Sequence, residues 1–161
     1  MKRILVGVLA AVLGGSAMAE STVKLTGVHN CCGACKKGIE AAVTKAGGKA
    51  TVAKDAVTIT AADDAAAKKA VGGLLAAGYF GAGADATNDA PAAKAKSVTI
   101  QGPHLCCGKC VTQFNDAAKG AAGVAKTDAK KGADTVVVEG DVSPKELIDA
   151  LRKAGFNATV K

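Results

Sequence analysis

The chain has 161 residues, six cysteines, two histidines, no tryptophan and a formal net charge of +7. Its basic residues are scattered rather than clustered, and it has one tyrosine and three phenylalanines. A nucleic-acid surface of basic patches and stacking aromatics is therefore excluded, and the charge reads as solubility. No paired carboxylates, Ser/His/Asp set or phosphate loop argues for hydrolytic or transfer chemistry, so the chain is not expected to be an enzyme.

Met1-Lys2-Arg3, an apolar run from Ile4 to Leu13 and the ending Ala17-Met18-Ala19 describe a secretory signal peptide spanning residues 1–19. The apolar run is too short for a stable membrane span, so no span is expected after its removal. A periplasmic or secreted location follows. The mature chain would begin at Glu20 and contain no methionine.

Val23–Thr26 alternates apolar and polar residues, as a half-buried strand does. A cysteine-rich loop follows. Cys35, Ile39, Ala42, Val43 and Ala46 then recur at helical spacing until Gly47-Gly48. Two strands are expected near Ala50–Ala53 and Ala56–Thr60, turning at Lys54-Asp55. Ala67, Val71, Leu74 and Leu75 mark a second helix that Gly78 ends, with Gly72 and Gly73 as internal weak points. Tyr79-Phe80 is expected to open a last short strand.

Residues 86–96 carry no large apolar side chain and read as a linker. The order then repeats. Val98–Gly102 is a strand, and Cys110, Phe114, Ala117 and Ala118 mark a helix. Gly123–Lys126 and Thr135–Glu139 supply a strand pair. Ser143-Pro144-Lys145-Glu146 opens a helix with serine as N-cap and proline at the first position. Ala154-Gly155-Phe156 matches Ala77-Gly78-Tyr79. The pattern predicts an α+β protein of two ferredoxin-like βαββαβ domains in tandem, at residues 20–85 and 97–161.

Every cysteine and histidine lies in one repeated stretch. His29-Asn30-Cys31-Cys32-Gly33-Ala34-Cys35 and His104-Leu105-Cys106-Cys107-Gly108-Lys109-Cys110 superpose at an offset of 75 positions. Thiolates suit Cu(I), Hg(II) and Zn(II) and disfavour Mg(II) and Ca(II). A helix starting at each loop should lower the thiol pKa. A third thiolate makes a site trigonal, and adding the histidine makes Cys3His, a composition typical of tetrahedral zinc. Cys31 and Cys32 are adjacent, so converging on one ion needs a bent backbone, which Gly33 and Gly108 are placed to supply. Tyr79 and Phe156 read as core side chains. In an exported chain the same thiols also form disulfides, so a redox pair or a stapled structural module remains the alternative.

A strand, a Cys-x-x-Cys loop, a helix, a hairpin, a helix and a short strand in about 65 residues resemble the heavy-metal-associated domain. That family includes copper chaperones, amino-terminal domains of copper-transporting ATPases and a periplasmic mercury-binding protein. The resemblance covers nearly all of the mature chain, once per repeat. It maps the family's ligand cysteines onto Cys32 and Cys35 and onto Cys107 and Cys110, and its Gly-aromatic feature onto Gly78-Tyr79 and Gly155-Phe156. The chain departs from it where Asn30 and Leu105 replace the usual methionine, and in the added Cys31, Cys106, His29 and His104. The resemblance implies a chaperone or scavenger of soft metal ions, Cu(I) first and Zn(II) or Hg(II) as alternatives, whose partner is a metal transporter or another metalloprotein.

Overall fold

The computed structural model describes residues 19–161, so the expected signal peptide lies, except for Ala19, outside the described residues. The first half runs β1 (Ser21–Leu25), α1 (Gly33–Lys45), β2 (Lys49–Ala53), β3 (Ala56–Ala61) and α2 (Asp64–Ala76). The second runs β4 (Ala95–Gln101), α3 (Gly108–Lys119), β5 (Val124–Thr127), β6 (Thr135–Val142), α4 (Pro144–Lys153) and β7 (Thr159–Val160). All pairings are antiparallel, in the orders β1-β3-β2 and β5-β6-β4-β7. Two helices on such a sheet make each half a ferredoxin-like α+β unit.

Local chemistry sets the element ends. Asp63 caps α2 by accepting from the Ala66 N–H at 2.7 Å, and Ser143 caps α4 by accepting from Glu146. Pro144 follows at the first helical position, where its missing N–H costs nothing. Gly78 and Gly155, at φ of 85° and 83°, turn the chain out of α2 and α4. Alternate residues of the central strands, Val57 and Ile59 in β3 and Val136 and Val138 in β6, face the helices and are buried. Leu74, Ile39, Phe114 and Leu147 meet them from the helix side.

The first half lacks the full fourth strand expected at Tyr79-Phe80. Its place beside β1 is held by one bridge, Thr26 to Ala82. Glycines flank Ala82, and a Cβ at Gly81 would press on Val28 and Leu25, so this segment has neither the side chains nor the room of a regular strand. In the second half Thr159-Val160 supplies β-branched side chains and pairs with Gln101 and Ile100.

Tyr79 instead bridges across to Phe156 of the other half. The Phe80 N–H donates to Gly155 O and the Asn157 N–H donates to Gly78 O, each at 2.9 Å. The two bonds are related by a pseudo-two-fold axis, as the sequence repeat requires of a symmetric contact. The segment 86–94 is laid along α4. Asn88 donates to Asp149 Oδ1 and to Lys145 O, and the Lys145 N–H donates to Pro91 O.

Candidate metal centre

Each cysteine stretch leaves the end of a strand, β1 or β4, turns, and enters a helix. The turn is made without unusual backbone at Gly33 or Gly108. Cys32 and Cys107 are extended N-caps, at φ −161° and −151°, and the helices start immediately after them. The expected glycine bend is therefore replaced by an ordinary extended-to-helical step, and the left-handed residues are Gly27 and Gly102, upstream of the histidines. Asn30 does not fill an apolar slot. It is half-buried and its Nδ2 donates to Lys54 O at 2.6 Å, pinning the loop to the β2–β3 turn. Leu105, at the matching place, is buried.

Because Tyr79 pairs with Phe156, the two cysteine loops face each other and all six thiols form one cluster. Cys35 and Cys110 lie at its centre, fully buried, with sulfurs 3.8 Å apart. Cys35 Sγ also touches Cys31 at 3.7 Å, Cys32 at 3.7 Å and Cys106 at 3.6 Å. Cys110 Sγ touches Cys106 at 3.6 Å, Cys107 at 3.5 Å and Cys31 at 3.5 Å. Cys31 reaches Cys107 as well, at 3.6 Å. All six are free thiols. A tetrahedral ion with metal–sulfur bonds of about 2.3 Å holds its sulfurs about 3.8 Å apart, a spacing that these separations match.

Three of the four ligand groupings cross between halves. Cys32 and Cys35 group with Cys106, and Cys31 and Cys32 group with Cys107. Cys106, Cys107 and Cys110 make a third group. The fourth is Cys3His, but of Cys31, Cys35 and Cys110 with His29, rather than three cysteines and a histidine of one copy. His29 is buried, with Nε2 3.3 Å from Cys110 Sγ. His104 is turned to the Tyr79 hydroxyl, 2.8 Å from its Nε2. Tyr79 and Phe156 are buried, and each also roofs the other half's histidine. Phe156 stacks on His29 at 4.2 Å and Tyr79 on His104 at 4.3 Å.

Helix N-termini divide the thiols by acidity. The Cys35 and Ala34 N–H groups stabilise the Cys32 thiolate and lower its pKa. The Cys110 N–H, helped by the Cys110 thiol, lowers Cys107 to about 6. Cys31, Cys106 and Cys110 are pushed upward, first by burial. His29 is lowered to about 4 by burial and then by His104. The rim thiols Cys32 and Cys107 are thus the more readily ionised, and an entering cation displaces the protons of Cys31, Cys106 and Cys110. A shallow opening of about 550 Å³, lined by Cys31, Gly108, Lys109, Thr112 and Gln113, leads to it.

The model of the heavy-metal-associated domain matches residues 98–157, from β4 through α4 with the loop of Cys106, Cys107 and Cys110 between. The second half is similar to a heavy-metal-associated domain. Its donors are those of soft metal ions. The first half repeats its motif and its arrangement of helices on an antiparallel sheet. Solved structures with similarity to the chain include oxidized MerP from Ralstonia metallidurans CH34, at 28% identity over 40% of this chain and 94% of that one, TM-score 0.37. The N-terminal domain of PacS from Synechocystis PCC6803 is 25% identical over 42% and 98%, TM-score 0.38. The N-terminal soluble domains of Bacillus subtilis CopA are 18% identical over 89% and 95%, TM-score 0.35. No curated protein matches the chain.

Sequence reasoning named the eight cysteine and histidine donors but treated each loop as its own site. It also gave Tyr79 and Phe156 core roles only. The available signal was the Tyr/Phe difference between otherwise matched repeats.

Proposed function

We propose that the chain is a tandem pair of heavy-metal-associated domains that closes both cysteine loops around one shared cargo of soft metal ions, Cu(I) first. The carrying observation is the single cluster of six sulfurs, with Cys35 and Cys110 each in contact with four others. Central thiolates with several neighbours are placed to bridge ions, and low-coordinate Cu(I) accepts such soft bridges. Zn(II) and Hg(II) are the alternative cargo. The protein acts as a carrier or scavenger rather than an enzyme, delivering to a membrane transporter or another metalloprotein by ligand exchange through the rim thiols Cys32 and Cys107. Residues 1–19 direct export to the periplasm or beyond, which a mature amino terminus at Glu20 in the exported fraction would check. Among the described residues no helix is long and apolar enough to cross a membrane.

The test is a titration of the reduced, anaerobic mature chain with Cu(I), Zn(II) and Hg(II) against a competing chelator. Tight binding is expected, weakened for the whole bound complement by either Cys35→Ser or Cys110→Ser. Two independent sites would instead keep half of the binding at full affinity in each variant. Absence of tight binding, with rapid turnover of a disulfide substrate, would establish the thiol–disulfide alternative.

A further inference from the structure

The two halves match residue for residue at their cysteines and histidines, yet the two histidines have different partners. The difference traces to two positions. The residue that roofs the opposing histidine is Tyr79 in one half and Phe156 in the other. The residue beneath Tyr79, on the second turn of the cysteine-bearing helix α1, is Gly38, and the sequence-matched residue 75 positions on, in α3, is Gln113. A Cβ at Gly38 would lie 2.5 Å from the Tyr79 hydroxyl, so the glycine makes the space that the hydroxyl fills. In the second half the phenyl ring has no hydroxyl to place, and the matched Gln113 is exposed.

The consequence is chemical. The Tyr79 hydroxyl takes His104 Nε2 at 2.8 Å and also lies 3.2 Å from Cys35 O, so this nitrogen is satisfied inside a hydrogen-bonded chain. Phe156 offers His29 only a stacking face. His29 Nε2 is therefore left to point at the sulfurs, 3.3 Å from Cys110 and grouped with Cys31 and Cys35. In a tetrahedral site with bonds of about 2.3 Å to sulfur and about 2.0 Å to nitrogen, a nitrogen and a sulfur lie about 3.5 Å apart, close to what is seen.

We propose that the cluster is asymmetric: Cys31, Cys35, Cys110 and His29 form a four-ligand corner for a tetrahedral d10 ion such as Zn(II), while Tyr79 withholds His104. Resting on the shared-cluster reading, this adds a ligand choice made by the Tyr79/Gly38 and Phe156/Gln113 pairs. Tyr79 is a positioning residue that acts through His104, and Phe156 acts by lacking a hydroxyl. The imidazole at this corner completes a borderline, four-coordinate site, whereas the positions bounded by sulfur alone suit lower coordination.

The experiment is zinc X-ray absorption on the reduced full mature chain loaded with Zn(II), counting imidazole ligands per chain, with affinity measured in parallel. The wild-type chain should show one imidazole. His29→Ala should remove it and weaken Zn(II) binding about 10-fold or more, and His104→Ala should retain it. Tyr79→Phe, a side chain already accepted at the matched position, should add a second imidazole. The double variant Phe156→Tyr with Gln113→Gly should remove the first by giving His29 a hydroxyl partner. The inference is overturned if His104→Ala abolishes the imidazole signal, if His29→Ala retains it, or if Tyr79→Phe adds none. Zn(II) bound through sulfur alone refutes the histidine role and leaves the metal function standing. A wild-type chain that holds neither Zn(II) nor Cu(I) refutes the metal function, and this corner with it.

Discussion

Replacing Gly155 with alanine should separate the two halves and disperse the thiol cluster while leaving each half folded. Gly155 is at φ +83°, and a Cβ there would fall on the backbone nitrogen of His29 and the carbonyl oxygen of Gly27. Both are main-chain atoms, so no rotamer change relieves the overlap. The left-handed conformation alone costs an alanine about 1–2 kcal/mol. Making room then breaks the bonds that Gly155 O accepts from Phe80 at 2.9 Å and His29 at 3.3 Å, worth about 1 kcal/mol each. Of the sum, about 3–4 kcal/mol, the two bonds fall on docking, and their about 2 kcal/mol corresponds to a loss of about 30-fold in the closed population. Gly47→Ala is the control. Gly47 has φ +89° and ends α1 in the same manner, but nothing lies within 4 Å of its would-be Cβ. It should carry the conformational cost and leave the halves docked. Small-angle scattering and metal affinity read the difference: Gly155→Ala should extend the particle and weaken binding, and Gly47→Ala should do neither. A Gly155→Ala chain as compact and as tight-binding as wild type would refute the cross-half contact as the device that assembles the cluster.

Three further outcomes follow from named residues. Gly72→Ala should stabilise the chain by about 1 kcal/mol, since its would-be Cβ meets nothing, whereas Gly73→Ala should destabilise it, since a Cβ there comes within 2.6 Å of Ala46 Cβ; paired denaturant melts check both. In the metal-free protein the alkylation rate of Cys107 should rise to half its plateau near pH 6, with Cys106 unreactive there because burial raises its pKa; peptide mapping after a timed pulse distinguishes them. Acid should weaken the fold through His29. Its folded pKa is about 4 while an unfolded histidine titrates near about 6.5, so its contribution is complete above the higher value and is lost as pH falls from there through the lower one, about 3 kcal/mol in all. A His29→Gln chain should show a shallower acid slope in urea melts, and an unchanged slope would refute the assignment.

The strand and helix pattern was legible because its causes are local. The period-two run of Val136 to Val138, the Ser143-Pro144 helix start and the glycines after α2 and α4 act over a few residues and need no tertiary partner. The fourth strand of the first half was misread for the opposite reason. Gly-aromatic pairs look alike in both repeats, but only Thr159-Val160 offers side chains that pair with β4, and Tyr79 is claimed by Phe156.

Sequence alone determined the donors. Six thiols and two imidazoles at repeated spacing are the residue types that soft ions favour, and the repeat itself announced two similar units. Tertiary structure alone decided that those donors form one cluster instead of two, and that His29 and His104 have different partners. Both outcomes depend on contacts between residues 77 to 127 positions apart, where Tyr79 meets Phe156, Phe156 roofs His29 and His29 reaches Cys110. No spacing within either motif encodes such a meeting, because it is set by how two complete halves close over their shared edge.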